Sequence, residues 1–151
     1  MLNYALEHIF SYHLQLHPPE IVGSVPDGIR AMAYVAQGTI NGRVNGILQP
    51  IGGDWIVIRP DGVAITDVRG TIKTTDDALI YLAYTGVMDL GENGYQNALD
   101  GQFPATAKIH TTPRLQTAHP NYQWLNRLQC VGIAELNFTT FAGEFDVYAL
   151  R

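Results

Sequence analysis

Asp67 and Arg69 lie close together in the stretch "GGDWIVIRPDGVAITDVRG", residues 52–70, on the same parity as Val63 and Ile65. Side chains alternate between the two faces of a strand, so a face that begins apolar here ends in a carboxylate and a guanidinium. Such a face either turns to solvent or lines an interior that is meant to be polar. The second, the lumen of a barrel where the two charges pair with each other or with a ligand, is the preferred placement. In a dry interior a carboxylate beside an arginine stays ionised, whereas one without a cation is pushed up in pKa. The contrast makes an acid/base pair: an aspartate that abstracts a proton, and an arginine or tyrosine that holds the developing oxyanion. Asp54, Asp67 and Asp77 are the candidate proton carriers, with Arg69 as the catalytic partner. This chemistry suits a lyase, isomerase, hydratase or cyclase acting on an aromatic or carbonyl compound.

Further polar side chains fall on predicted inward faces and would orient a ligand. Arg30 and Tyr34 share one strand face, and Asp77 and Tyr81 share another. Asp54 and Trp55 straddle the start of a strand, so only one of them can point inward. His110 and Arg114 belong to a later strand, and Tyr122, Trp124 and Asn126 crowd a short turn that would cap one barrel end. The structural alternative for all of these is a satisfied polar network, because buried charges are normally paired.

Other chemistries lack their residues. His13 and His17 would share a helix face, but the local alternation is strand-like, which sets them about 13 Å apart, too far for one metal. His8 sits on the apolar face and reads as a core histidine. The only serines are Ser11 and Ser24, neither in a nucleophile elbow. Cys130 is the single cysteine, in an apolar run that reads as a buried strand. No glycine-rich phosphate loop occurs. The expectation is an acid/base site with no metal and no cofactor.

The elements that would position these residues are strands. Residues 2–16 alternate with a period of two until Pro18-Pro19 ends the run. Strand-like runs follow at 21–25, 28–40, 44–49, 54–59, 62–74, 77–88, 105–117, 127–139 and 143–150. Turn signals such as "PDG", "NG", "GG" and "TTDD" punctuate them. A short helical turn is expected at "HPNYQWLN", residues 119–126. Residues 89–104 are rich in Gly, Asn and Asp, lack periodicity, and have the length of a lid or binding loop. Many antiparallel strands with short turns make a sandwich or a closed barrel. The prediction is an all-β, single-domain, mostly antiparallel closed β-barrel of about eight to ten strands over 1–151, and roughly eight suffice to hold one small ligand.

Bulk composition narrows the partners. The net charge of −5, with nine Lys plus Arg among 151 residues, argues against a nucleic-acid partner. No basic amphipathic stretch argues for a membrane surface, and the N-terminus lacks the positive region of a signal peptide. A lone cysteine makes the cytoplasm the default compartment. Apolar residues on the polar face of the first strand, such as Ile9, point to a homodimer.

Several segments together resemble one family: "GSVPDGIR", "NGILQPIGGDW", "IRPDG", "TDVR", "TTDD" and "HPNYQWLN", in order over nearly the whole chain. The sequence is similar to the DUF3237, or UPF0311, proteins. That resemblance implies a bacterial-type single-domain β-barrel, often dimeric, and implies no activity. The chain departs from the family pattern at Asp77 and Leu115, so no substrate is carried across. Three functions stay open: a cofactor-independent enzyme of aromatic or natural-product metabolism, a carrier of a small hydrophobic or aromatic ligand, and a structural dimerisation module.

Overall fold

The computed structural model describes residues 1–151. Ten strands form one antiparallel sheet: β1 (Leu6–Leu16), β2 (Glu20–Val25), β3 (Gly28–Gly42), β4 (Gly46–Ile58), β5 (Val63–Thr74), β6 (Leu79–Asp89), β7 (Thr106–Thr111), β8 (Arg114–Gln116), β9 (Cys130–Asn137) and β10 (Ala142–Leu150). β1 pairs with β10 on one side and with β3 on the other, so the sheet closes on itself. The result is an eight-stranded barrel with two extra strands. β2 adds to the outer edge of β3, and β8 continues the line of β7 along β6. Closure leaves few exposed edges, which a flat sheet of this length could not achieve.

Alternation sets the inside. Ile29, Ala31, Ala33 and Val35 of β3 are buried, as are Ala64, Thr66, Val68 and Ile72 of β5 and Ile80, Leu82, Tyr84 and Met88 of β6. Many inner positions are small, because an eight-stranded barrel has just enough interior to be filled by its own side chains.

Two irregularities reset the pattern. In β1 the register shifts between His8 and Phe10, so that Ile9 and Phe10 are both fully buried and His8 is exposed. The sequence-based placement of Ile9 outside and His8 in the core is thereby reversed, and the hint of a dimer at Ile9 goes with it. In β4 the pairing with β5 skips Gln49 to Ile51, which joins the predicted strands 44–49 and 54–59 into one bulged strand. Conversely, the run 105–117 breaks at Thr112-Pro113 into β7 and β8.

The barrel ends differ. One is closed by a 3₁₀ helix, Pro120–Arg127, the element expected at 119–126. Its Leu125 is buried, and the Tyr122 hydroxyl donates to Asp76 in the β5–β6 turn at 2.8 Å. The other end gathers the β2–β3 and β4–β5 turns, the β9–β10 turn, and residues 89–104. Within that segment lies a short helix, α1 (Gly94–Leu99), in place of an aperiodic loop.

Candidate functional site

β4 carries the one carboxylate in the lumen. After the bulge, Gly52 takes φ +100° and lies so close to β5 that a Cβ there would sit 2.2 Å from the Arg69 carbonyl oxygen. Only glycine tolerates both conditions. The strand then re-enters the wall with Asp54 facing inward, opposite Ala33, and Trp55 facing outward, opposite Met32. Of the adjacent pair, the aspartate is the inward residue.

Asp54 is partly buried and has no cation partner. Its Oδ1 accepts the Asp67 backbone N–H at 2.8 Å. Burial pushes its pKa up to about 7; the hydrogen bond from Asp67 N–H opposes this, and the Asp67 charge adds to it. The surrounding lumen is largely apolar, with Leu14, Val35, Val68, Leu82 and Phe145 among its lining. The free space in it is narrow: about 30 Å³ can hold the centre of a water molecule.

Three hydroxyls share this interior. Tyr12 donates to Tyr84 across 3.3 Å, and both phenols are buried. Desolvation raises both pKa values, and the Asp54 charge pushes each further up, so both phenols stay protonated. Tyr12 also stacks on Phe145 with ring centroids 4.4 Å apart. Thr66 is 2% exposed, borders the lumen, and has no hydrogen-bond partner for its hydroxyl. A buried unpaired hydroxyl costs stability, and here it leaves an open donor and acceptor in the same space as Asp54. Asp54 can therefore exchange a proton near neutral pH while hydroxyls orient an oxygen. Tyr12, Thr66 and Tyr84 were not among the predicted site residues; Tyr84 shares parity with Ile80, Leu82 and Met88, which was the available signal.

The remaining predicted residues lie elsewhere. Asp67 and Arg69 face outward, half-exposed, and pair with each other at 3.0 Å. The preferred placement of that pair in the lumen is therefore corrected: the face it shares with Val63 and Ile65 is the outer wall. Arg30 and Tyr34 also face outward, the first near Asp27 at 3.8 Å and the second donating to Glu20 at 3.1 Å. Asp77 occupies an exposed turn with φ 66° and pairs with Lys73 at 3.0 Å, and Tyr81 is on the outer face of β6. His110 and Arg114 are exposed as well. Tyr122, Trp124 and Asn126 belong to the end cap rather than the lumen. Trp124 carries the Arg43 guanidinium 4.2 Å from its ring centroid, and Asn126 donates to the Thr117 carbonyl at 2.9 Å. No group of three or more His, Cys, Asp or Glu side chains converges as a metal site would require, and no helix is long and apolar enough to cross a membrane.

The family model described as "Protein of unknown function (DUF3237)" matches residues 4–150. The chain belongs to the DUF3237 family. Among curated DUF3237-like relatives, a UPF0311 protein of Rhodopseudomonas palustris is 27% identical over 132 residues, covering 85% of this chain and 86% of its own. A UPF0311 protein of Clostridium acetobutylicum is 28% identical over 128 residues, covering 82% and 80%. A crystal structure described as a beta-barrel like protein from Acinetobacter baumannii superposes with a TM-score of 0.80 at 28% identity, over 100% of this chain and 98% of that one. A crystal structure described as an enzyme from Penicillium herquei has a TM-score of 0.67 at 19% identity, over 98% and 96%. At that identity the likeness is one of fold. DUF3237 thus supplies an architecture and leaves the chemistry to the residues inside it.

Proposed function

We propose that this DUF3237 barrel is a cofactor-independent acid/base enzyme of the lyase or isomerase type, with Asp54 as the proton carrier. The observation that supports it is a carboxylate with no cation partner and a pKa raised to about 7, set in an apolar lumen beside an unpaired hydroxyl. A general base or acid works best when its pKa lies near the working pH, and strongly shifted carboxylates in clefts are site candidates for that reason. In the proposed step Asp54 takes a proton from carbon or oxygen next to a carbonyl or phenol. The electron pair moves onto the substrate oxygen, which the Thr66 and Tyr84 hydroxyls stabilise by donating to it. Asp54 then returns the proton, to a second position of the substrate in an isomerisation or cyclisation, or to the departing oxygen in an elimination, which leaves as water or an alcohol; no external oxidant is needed. Residues 89–104 would cover the mouth while this happens. The Penicillium herquei protein, described as an enzyme, agrees with catalysis on this architecture.

The test is mass spectrometry of the intact protein and its small molecules after incubation with phenols, aryl ketones and lactones. Conversion is expected for at least one member, with a pH–rate profile that bends near pH 7. Asp54→Asn is expected to lower the rate by about 10²–10⁴-fold, the usual range for loss of a general acid/base. Retained adducts with no conversion of any member would make the protein a carrier.

A further inference from the structure

At the α1 end the barrel holds a second chamber, of about 440 Å³. Ile56, Ile58 and Met88 line it from the barrel wall, Leu90 and Phe103 from the 89–104 segment, and Phe141 from the β9–β10 turn. No side chain in its lining carries a charge or an N–H or O–H group. The chamber adjoins the lumen, since Leu136 borders both spaces. Along β4 the inward residues run Ile58, Ile56, Asp54, so the carboxylate stands about 7 Å beyond Ile56 at the usual rise per residue.

Resting on the acid/base reading of Asp54, we propose that this chamber seats the body of the substrate, and that the substrate is an uncharged molecule with an aromatic or aliphatic body and one slender oxygen-bearing arm. Three features fix that class. The chamber falls within the roughly 300–1,000 Å³ of small-molecule sites, so a body of one or two fused rings fits. The lining offers no cation, and the next group inward is Asp54. A carboxylate or phosphate on the body would lose its hydration with nothing to replace it. The space around Asp54 is narrow, about 30 Å³ for water centres, which admits a carbonyl or hydroxyl arm but not a ring. The unpaired Thr66 hydroxyl then finds its partner in the arm's oxygen.

The first measurement is a fluorescence titration with N-phenyl-1-naphthylamine, an uncharged probe, beside its sulfonated analogue 1-anilinonaphthalene-8-sulfonate. The uncharged probe is expected to bind at least about tenfold tighter, since the sulfonate is desolvated without a partner. It should also shift the methyl NMR signals of Met88 and Ile56. Ala98→Trp fills the chamber from α1 and is expected to weaken the probe by about tenfold or more; should that variant fold poorly, the NMR shifts decide alone. Equal binding of the two probes, or shifts confined to outer-wall Val57 and Ile65, would overturn the proposal. The arm is tested by competition: 2-acetylnaphthalene should displace the probe about five- to tenfold better than 2-ethylnaphthalene, the worth of one hydrogen bond. Thr66→Val should abolish that preference, and its absence in the unaltered protein would remove the arm. If turnover proves insensitive to Asp54→Asn while the probe still moves Met88, the acid/base reading falls and the chamber stands. If no probe reaches Met88 while Asp54 governs turnover, the reverse holds.

Discussion

Asp54 and Asp67 sit on adjacent strands of one wall and are joined by a hydrogen bond from the Asp67 N–H to the Asp54 carboxylate. They nevertheless behave as different chemical groups. Asp67 projects outward, half-exposed, with the Arg69 guanidinium at 3.0 Å. Asp54 projects inward among apolar side chains, has no cation, and is held near neutrality by burial. Side-chain type is the same in both, so the side of the wall supplies the difference. A barrel thus makes two carboxylate environments out of one sheet, through the parity of a strand that a bulge and Gly52 have set.

The largest expected effect breaks the comparison at its inner member. Asp54 has a folded pKa raised from 3.8 to about 7, so the folded state binds its proton more tightly than the unfolded chain does. Its contribution to stability is therefore fully present below about pH 4 and is lost as pH rises through 7. Asp54→Asn, which keeps an oxygen for the Asp67 N–H, is expected to be more stable than the unaltered protein at pH 8 by about 4 kcal/mol, at about 1.36 kcal/mol per pKa unit. The gap should shrink toward zero near pH 4. Urea melts at both pH values measure it, and a gap independent of pH would mean that burial does not hold the Asp54 proton.

Next in size is the backbone device that turns Asp54 inward. Gly52→Ala places a Cβ against the Arg69 carbonyl oxygen at a φ that alanine resists, and is expected to cost about 2–3 kcal/mol. Gly70→Ala is the control on the opposing strand, where the nearest atom is the side-chain Leu48 Cδ1 at 3.3 Å rather than backbone, and it should cost less. Similar losses at both would remove the special role of Gly52. A smaller pair of opposite sign separates the two faces of β5. Thr66→Val is isosteric and deletes an orphaned hydroxyl, so it is expected to stabilise by about 1 kcal/mol. Thr71→Val on the outer face loses the bond from Gln49 Nε2 at 3.2 Å and should be neutral or mildly destabilising. Thermal melts of both variants check the signs.

The sheet was largely legible in the sequence because period-two alternation and glycine-bearing turns are local signals. Closure into a barrel followed from the number of strands, and the helical turn at the end cap from Pro120 and its neighbours. The inner and outer faces of β5 were the harder matter. Val63 and Ile65 are bulky, and were read as the inside, but the narrow interior takes Ala64 and Thr66, leaving the larger residues half-buried outside. Arg30, Tyr34 and Tyr81, placed inward as polar groups to orient a ligand, likewise face outward, while Ala31, Ala33 and Leu82 are the buried ones. Asp54 was legible as a candidate, but choosing it over Trp55 required the bulge at 49–51, which no local propensity announces. Nor did the period show that Ile9 is inside, because the β1 bulge interrupts it.

The smallest effect belongs to the outer pair. Asp67 and Arg69 form a single ion pair with both side chains about half-exposed, 43% and 55%. Such pairs are worth about 0–1 kcal/mol because water and salt screen them. Arg69→Met is therefore expected to change stability by less than about 1 kcal/mol, and the change should diminish in 1 M salt, where the screening length falls to about 3 Å. Removing the guanidinium leaves the Asp67 charge uncompensated beside Asp54, so the bend in any pH–rate profile should move slightly upward rather than vanish. A loss of several kcal/mol, or abolished turnover with the fold intact, would place the pair in the machinery of the lumen after all. A small, salt-sensitive change would leave catalysis to the inner wall and the outer pair to the solvent.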